Sequence, residues 1–146
     1  MRWLWIDRFV EFHSRRSARA VKNLSLAEDV FRDHFPGYPV MPGSLMLEGL
    51  AQTGGILVGE ANDFREKVIL AKIAQARFHR EALAGEQLVY DVELLDLRPE
   101  GASIRGRVSS DGQPVVECGV CRRTRSWSSI SAAEAKGTRR ASVWRT

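Results

Sequence analysis

Cysteine is scarce in this 146-residue chain: Cys118 and Cys121 are the only two, too few for a disulfide framework. The N-terminus has neither the long apolar run nor the small-residue cleavage site of a secretory signal, so a reducing, cytoplasmic setting is expected. Long hydrophobic runs are missing as well. The least charged stretch, Val40 to Gly59, is broken by Glu48, Gln52 and several glycines. A carboxylate at mid-bilayer is costly, which argues against a membrane span. Zinc-finger spacing and the aromatic signature of RNA-binding domains are both absent, so nucleic acid is not an expected partner. Basic charge is lacking from most of the chain despite a formal net +4. Residues 1–120 hold 15 Lys and Arg against 17 Asp and Glu, whereas residues 121–146 hold 7 against 1. The basicity belongs to the C-terminal tail.

What is present fits one ordinary domain. Apolar residues make up 44% and charged residues 27%, close to globular averages. Trp3 to Phe12 is rich in aromatic and β-branched residues, and a polar stretch from His13 to Arg16 separates it from Ala18 to Leu24, which predicts two strands joined by a hairpin loop. Residues Phe35 to Gly43 carry three prolines and two glycines, which excludes regular structure and predicts an ordered loop. From Ser44 to about Asn62 the pattern is helical, with so little polar face that the helix is expected to be buried on all sides. Gly49, Gly54, Gly55 and Gly59 lie inside it. Each interior glycine costs a helix about 1 kcal/mol relative to alanine, and a sheet wrapped closely around the helix would account for them. Extended runs follow at Val68–Phe78, Gln87–Leu97, Ala102–Ser109 and Pro114 to about Arg123, with turns at Ala84-Gly85, Pro99-Glu100-Gly101 and Asp111-Gly112. A hairpin, a buried helix and an antiparallel meander give an α+β class. Beyond Trp127 the chain is Ser, Ala, Lys and Arg without apolar periodicity, and is expected to be mobile or only locally helical.

Two residues stand out chemically. Glu48 sits about one turn into the apolar helix, and capping does not explain it: it lies four positions after Ser44, and Leu47 occupies the capping-box position. A carboxylate among Met46, Leu47, Gly49 and Leu50 must be paired, protonated or turned to a cavity. His34 precedes the Pro/Gly loop. Between them, Met41-Pro42-Gly43-Ser44 brings free backbone N–H groups to the positive end of the helix, a natural oxyanion site. A base, an acid and polarising N–H groups are what proton abstraction α to a carbonyl and expulsion of a β-hydroxyl require. The competing reading makes Glu48 half of a structural ion pair and His34 an ordinary loop histidine. His13 and His79 lie among charges and are read as solvated. Cys118 and Cys121 have redox-motif spacing, but residues three apart on a strand point to opposite faces about 10 Å apart, so both are read as structural.

The run from Asp33 through Gln52, Asp-His-Phe-Pro-Gly-Tyr-Pro-Val-Met-Pro-Gly-Ser-Leu-Met-Leu-Glu-Gly-Leu-Ala-Gln, resembles the active-site signature of the bacterial 3-hydroxyacyl-acyl-carrier-protein dehydratases. The similarity extends upstream through Ile6-Asp-Arg-Phe-Val and Ala20-Val-Lys-Asn-Leu and downstream through Ala76-Arg-Phe and Gly85-Glu-Gln-Leu. The resemblance implies a hotdog fold, an antiparallel sheet wrapped around a long central helix, over residues 1–126, with 127–146 as a basic tail. It implies that His34 is the catalytic base and Glu48 the catalytic acid. Gly43, with Ser44 beside it, would offer the N–H that polarises the thioester carbonyl. Phe35, Pro36, Gly37 and Tyr38, with Val40, Met41 and Pro42, would form the loop at the substrate tunnel. Two departures are Tyr38, where the family often has histidine, and Ser44, where an apolar residue is common. Glutamate at position 48 favours the simple dehydratase branch over the dehydratase/isomerase branch, which uses aspartate.

The expected activity is dehydration of a (3R)-hydroxyacyl thioester to the trans-2-enoyl thioester in fatty-acid synthesis, without metal or other cofactor. The partners implied are an acyl carrier protein bearing the substrate and a second copy of the chain, in a homodimer that can assemble into a trimer of dimers, with His34 of one subunit facing Glu48 of the other. Rival readings are a hotdog thioesterase in which Glu48 activates water, a non-catalytic acyl-thioester-binding module, and a carrier or lipid-assembly partner specialised by its tail.

Overall fold

The computed structural model describes residues 3–125, with side chains through residue 119. The expectations for residues 127–146 and for the Cys121 side chain fall outside the described residues. The elements run β1 (Arg8–His13), β2 (Ser17–Asn23), α1 (Asp29–Asp33), α2 (Gly43–Ala61), β3 (Lys67–Phe78), β4 (Gln87–Arg98), β5 (Gly101–Ser110) and β6 (Gln113–Arg125). All six strands form one antiparallel sheet in the order β1-β2-β4-β5-β6-β3. The sheet packs around α2, which touches β2, β3, β4, β5 and β6.

Periodicity decides which side chains meet in between. In β5, Ala102, Ile104 and Val108 are buried at alternate positions, and β4 contributes Leu88, Tyr90 and Val92 in the same way. From α2, Met46, Leu50, Leu57 and Val58 point into this layer and are fully or almost fully buried. Burying each such side chain contributes on the order of 2 kcal/mol before conformational entropy is counted. Two of the four glycines, Gly49 and Gly54, make the close sheet contacts that the sequence pattern anticipates, whereas Gly59 faces Phe64 in the loop after α2. A β-carbon on Gly49 would lie 2.5 Å from the Tyr90 ring, and one on Gly54 would overlap the Ile104 side chain. The Asp111-Gly112 turn between β5 and β6 has both residues at positive φ, 49° and 73°, the two-residue geometry that suits a twisted hairpin.

The outer face of the sheet carries a row of charges. Glu11, Arg19, Asp91, Arg107, Glu117 and Arg77 stand directly opposite one another on successive strands, so that sign alternates across all six. Arg19 pairs with Asp91 at 2.6 Å and with Glu11 at 3.3 Å, and Arg107 pairs with Glu117 at 3.0 Å. Exposed pairs of this kind contribute little stability singly, but a one-residue slip of any strand would break the alternation, so they help to specify register.

Two expectations are corrected and one element is added. The strand expected over Trp3–Phe12 starts only at Arg8; Trp5 and Ile6 are held by burial in the core instead of by strand pairing. A short helix, α1, stands at Asp29–Asp33, where five residues are too few to show a period. Helix α2 is not buried on all sides within this chain. Ser44 and Ile56 are exposed and Glu48 and Gln52 half-buried, because one curved sheet covers only one side of it. No helix among the described residues is long and apolar enough to cross a membrane.

Candidate active site

His34 ends α1 as its C-cap, its backbone N–H donating to Val30 O at 3.1 Å. The next four residues close on themselves: Phe35 N–H donates to Tyr38 O and Tyr38 N–H to Phe35 O, both at 2.9 Å. Pro36 and Gly37 form the corner, and Gly37 has φ of +81°, the left-handed position that a turn of this type reserves for glycine. The His34–Phe35 peptide bond is cis, and the two rings lie 4.0 Å apart between centroids. The chain then returns, with Val40 N–H donating to His34 O at 2.9 Å. His34 is half-buried, while the Phe35 and Tyr38 side chains are exposed.

This loop rests on a second one, residues 80–86. Met41 N–H donates to Ala82 O at 2.8 Å, Val40 bridges to Leu83, and the Tyr38 hydroxyl donates to Glu81 Oε2 at 2.6 Å. That hydrogen bond to a carboxylate raises the Tyr38 hydroxyl above its ordinary pKa. Tyr38, a departure from the family pattern, thus has a partner that pins the loop. The supporting loop is locked in turn by Glu86, which takes Arg80 at 2.8 and 3.2 Å and Leu83 N–H at 2.8 Å. The Arg80 hydrogen bonds draw the Glu86 carboxyl down to about 2.

At the mouth of α2 the N-cap is Pro42, which offers no capping side chain. Its carbonyl accepts from Leu45 and Met46, but neither Gly43 N–H nor Ser44 N–H has an acceptor among the described residues. Two uncapped N–H groups at the positive end of a 19-residue helix form an anion-stabilising position. The Phe78 ring covers this point so closely that a β-carbon on Gly43 would come within 2.6 Å of it. One turn further on, Glu48 is half-buried on the uncovered side of α2 and accepts a hydrogen bond from Gln52 Nε2 at 3.0 Å. Its partner is therefore a neutral amide, not the arginine of the structural-pair reading.

His34 and Glu48 form no hydrogen bond or ion pair with each other within the chain, among the described residues. The other two histidines lie among charges. His13 pairs with Glu11 at 2.7 Å in an exposed position, and His79 pairs with Glu117 at 3.3 Å. Cys118 is buried, which pushes its thiol up. No group of three or more metal-ligating side chains occurs among the described residues. Reasoning from sequence missed Gln52 as the partner of Glu48. The signal was available, since residues four apart share a helix face.

Residues 2–119 match the family model of the FabA-like domain. The chain belongs to the FabA-like family. Among curated relatives, the chain is 35% identical over 130 residues to a protein of Hydrogenobaculum sp. named 3-hydroxyacyl-[acyl-carrier-protein] dehydratase FabZ, covering 87% of this chain and 88% of that one. A protein of the same name from Oceanobacillus iheyensis is 37% identical over 119 residues, covering 81% and 85%. One from Ralstonia nicotianae is 46% identical over 96 residues, covering 63% and 58%. Among solved structures, the dehydratase heterocomplex ApeI:P from Xenorhabdus doucetiae superposes with a TM-score of 0.75 at 15% identity over 90% of this chain and 89% of that one. A hot-dog-like protein from Thermanaerovibrio acidaminovorans gives 0.71 at 13% identity over 82% and 88%. At such identities the likeness speaks for the fold alone, and the fold is the hotdog.

Proposed function

We propose that the protein is a 3-hydroxyacyl-acyl-carrier-protein dehydratase of fatty-acid biosynthesis, with His34 as base, Glu48 as acid and Gly43 N–H as the polarising donor. The observation that carries the reading is the uncapped helix start, set between a histidine held by its loop and a half-buried carboxyl on one family signature. With the thioester oxygen at Gly43 N–H, with Ser44 N–H beside it, the C2 proton becomes acidic enough for His34 to take it. The electron pair forms the C2–C3 double bond as the C3–oxygen bond breaks, and Glu48 supplies the proton with which the hydroxyl leaves as water. Phe35, Pro36, Gly37, Tyr38, Val40, Met41 and Pro42 are the loop residues beside the acyl path.

The site is completed by a second copy of the chain. Three observations support this: His34 and Glu48 do not meet within one chain, the side of α2 bearing Glu48 is uncovered, and edge strand β3 exposes Ile69, Leu70, Ile73 and Phe78. A partner laid against β3 and α2 would cover apolar surface and bring His34 of one subunit to Glu48 of the other. Trimers of such dimers and a cytoplasmic setting belong to the same reading. Residues 127–146 are proposed as a basic tail outside the catalytic domain 1–126. The deciding experiment is incubation with a (3R)-hydroxyacyl-acyl carrier protein followed by mass spectrometry. Loss of one water with the thioester intact is expected; release of the free carrier thiol would mark a thioesterase, and binding without turnover a non-catalytic module.

A further inference from the structure

We propose that Gln52 is a positioning residue that gives the two oxygens of the Glu48 carboxyl different roles, and that the N-terminal segment Trp3–Trp5 is the fixture that holds it. The proposal rests on Glu48 being the proton donor. Its logic is one of donors and acceptors. Trp5 N–H donates to Gln52 Oε1 at 2.8 Å, and a backbone N–H is a donor only, so the amide oxygen must face Trp5. Gln52 Nε2 donates to Trp3 O at 3.1 Å, and a backbone carbonyl is an acceptor only, so the same orientation is required a second time. One N–H remains, and it goes to Glu48 Oε1 at 3.0 Å.

The amide nitrogen cannot accept. Glu48 Oε1 is therefore held as an acceptor, and because a carbonyl oxygen accepts better than a hydroxyl oxygen, a proton carried by Glu48 is favoured on Oε2, which has no partner among the described residues. The acid is thus aimed: the oxygen that holds the proton is the one left free for substrate. What keeps Gln52 in place lies 47 and 49 residues away in sequence. Trp5 is only 4% exposed, inside the core, and its ring meets that of Trp3 edge-on at 5.7 Å. Burial of one tryptophan thereby anchors the two backbone groups that orient the amide.

The test is a set of variants assayed with the carrier-bound substrate, each verified as folded by circular dichroism. Gln52→Met keeps the length of the side chain and removes all three hydrogen bonds. It should lower kcat about 10- to 100-fold with KM changed less than about twofold, since the acid is misaimed and binding is not. Combined with Glu48→Gln, it should add nothing beyond the loss from Glu48→Gln alone, because Gln52 acts only through Glu48. Should Gln52→Met not fold, Gln52→Glu carries the test. That variant keeps the acceptor for Trp5 N–H, lays a second carboxyl against Glu48, and should both slow turnover and move the pH–rate profile to higher pH. Normal kcat in a folded Gln52→Met or Gln52→Glu enzyme, or a fully additive loss in the double variant, overturns the proposal. Normal turnover by Glu48→Gln overturns the assignment of Glu48 itself, and the role of Gln52 falls with it.

Discussion

Strands β5 and β3 lie two places apart in one sheet, and they are finished to different degrees. In β5 every second residue is buried by α2 or by the neighbouring core, so this chain alone supplies all that the strand needs. In β3, twelve residues long, only Val68 and Ala76 are half-buried and the rest are exposed, and one backbone edge has no neighbouring strand among the described residues. The proposed site lies at the unfinished end: Phe78 of β3 covers Gly43, and Glu48 and Gln52 lie on the uncovered side of α2. One part of the molecule is finished within the chain, and the other is the part that the proposed dimer would complete. Substitutions on the two sides should therefore fail in different ways.

The sharpest division is expected at the proton-transfer groups. His34→Ala and Glu48→Gln should each lose about 10²- to 10⁴-fold in kcat while their thermal unfolding stays close to that of the parent. Mixing the two inactive proteins should restore part of the activity once subunits exchange, because the heterodimer holds one intact site. Continued inactivity after exchange has been verified would place both groups of a site in one chain. On the finished side, Ile104→Ala empties space above Gly54 and should cost about 2–5 kcal/mol in denaturant unfolding without changing subunit mass. On the unfinished side, Ile73→Asp puts a charge on a side chain that is 39% exposed in the single chain. It should leave the circular dichroism of the fold intact, weaken the dimer at least about tenfold in sedimentation, and lower activity with it.

A smaller effect is expected where the two sides meet, in the loop locked by Arg80 and Glu86. Arg80 holds Glu86 at about 2 against an ordinary 4.5, so the pair stabilises the fold above pH 4.5 and its contribution fades as pH falls toward 2. The Arg80 side chain is 35% exposed, and solvent screening keeps the effect to about 1 kcal/mol. Glu86→Gln should be less stable than the parent by that amount at pH 7, and the difference should shrink through the acid range in parallel urea titrations. The smallest effect concerns the tail. An acidic carrier protein meets a body slightly richer in acidic than basic residues, and residues 121–146 hold the surplus of positive charge. Removing 128–146 should raise KM for carrier-bound substrate about two- to tenfold and flatten its salt dependence. The kcat, and turnover of a small pantetheine thioester, should be unaffected; identical KM and salt dependence would leave the tail without a role in docking.

Much of this was legible from residues alone, and what was not shares one cause. The Pro/Gly loop, the extent of α2 and the Asp111-Gly112 turn are written in local chemistry, where neighbours in sequence decide conformation. The glycines of α2 went a step further, since their cost in a helix implied a sheet pressed against it, and Tyr90 and Ile104 are that sheet. The anchoring of Gln52 and the roles of Glu81 and Phe78 were hidden because the partners are distant along the chain: Trp3 for Gln52, Tyr38 for Glu81 and Gly43 for Phe78. The helix expected to be buried on all sides misled for a related reason. Apolar residues all round a helix do not say which chain covers them, and this chain covers one side of α2; the proposed dimer would cover the other.

The row of alternating charges across the outer sheet has a consequence for how the molecule looks from afar. Equal and opposite charges spaced one strand apart, about 4.8 Å, have fields that cancel within about one or two such spacings, on the scale of the Debye length of about 8 Å at physiological ionic strength. With Glu11, Arg19, Asp91, Arg107, Glu117 and Arg77 in strict alternation, and Glu93 paired with Arg105 beside them, this broad face is nearly silent to an approaching macromolecule despite its ionised groups. The long-range field then comes from charges elsewhere that lack such neighbours, so a diffusing partner is neither drawn to the back of the sheet nor held there, and its encounters are left to the edges of the molecule.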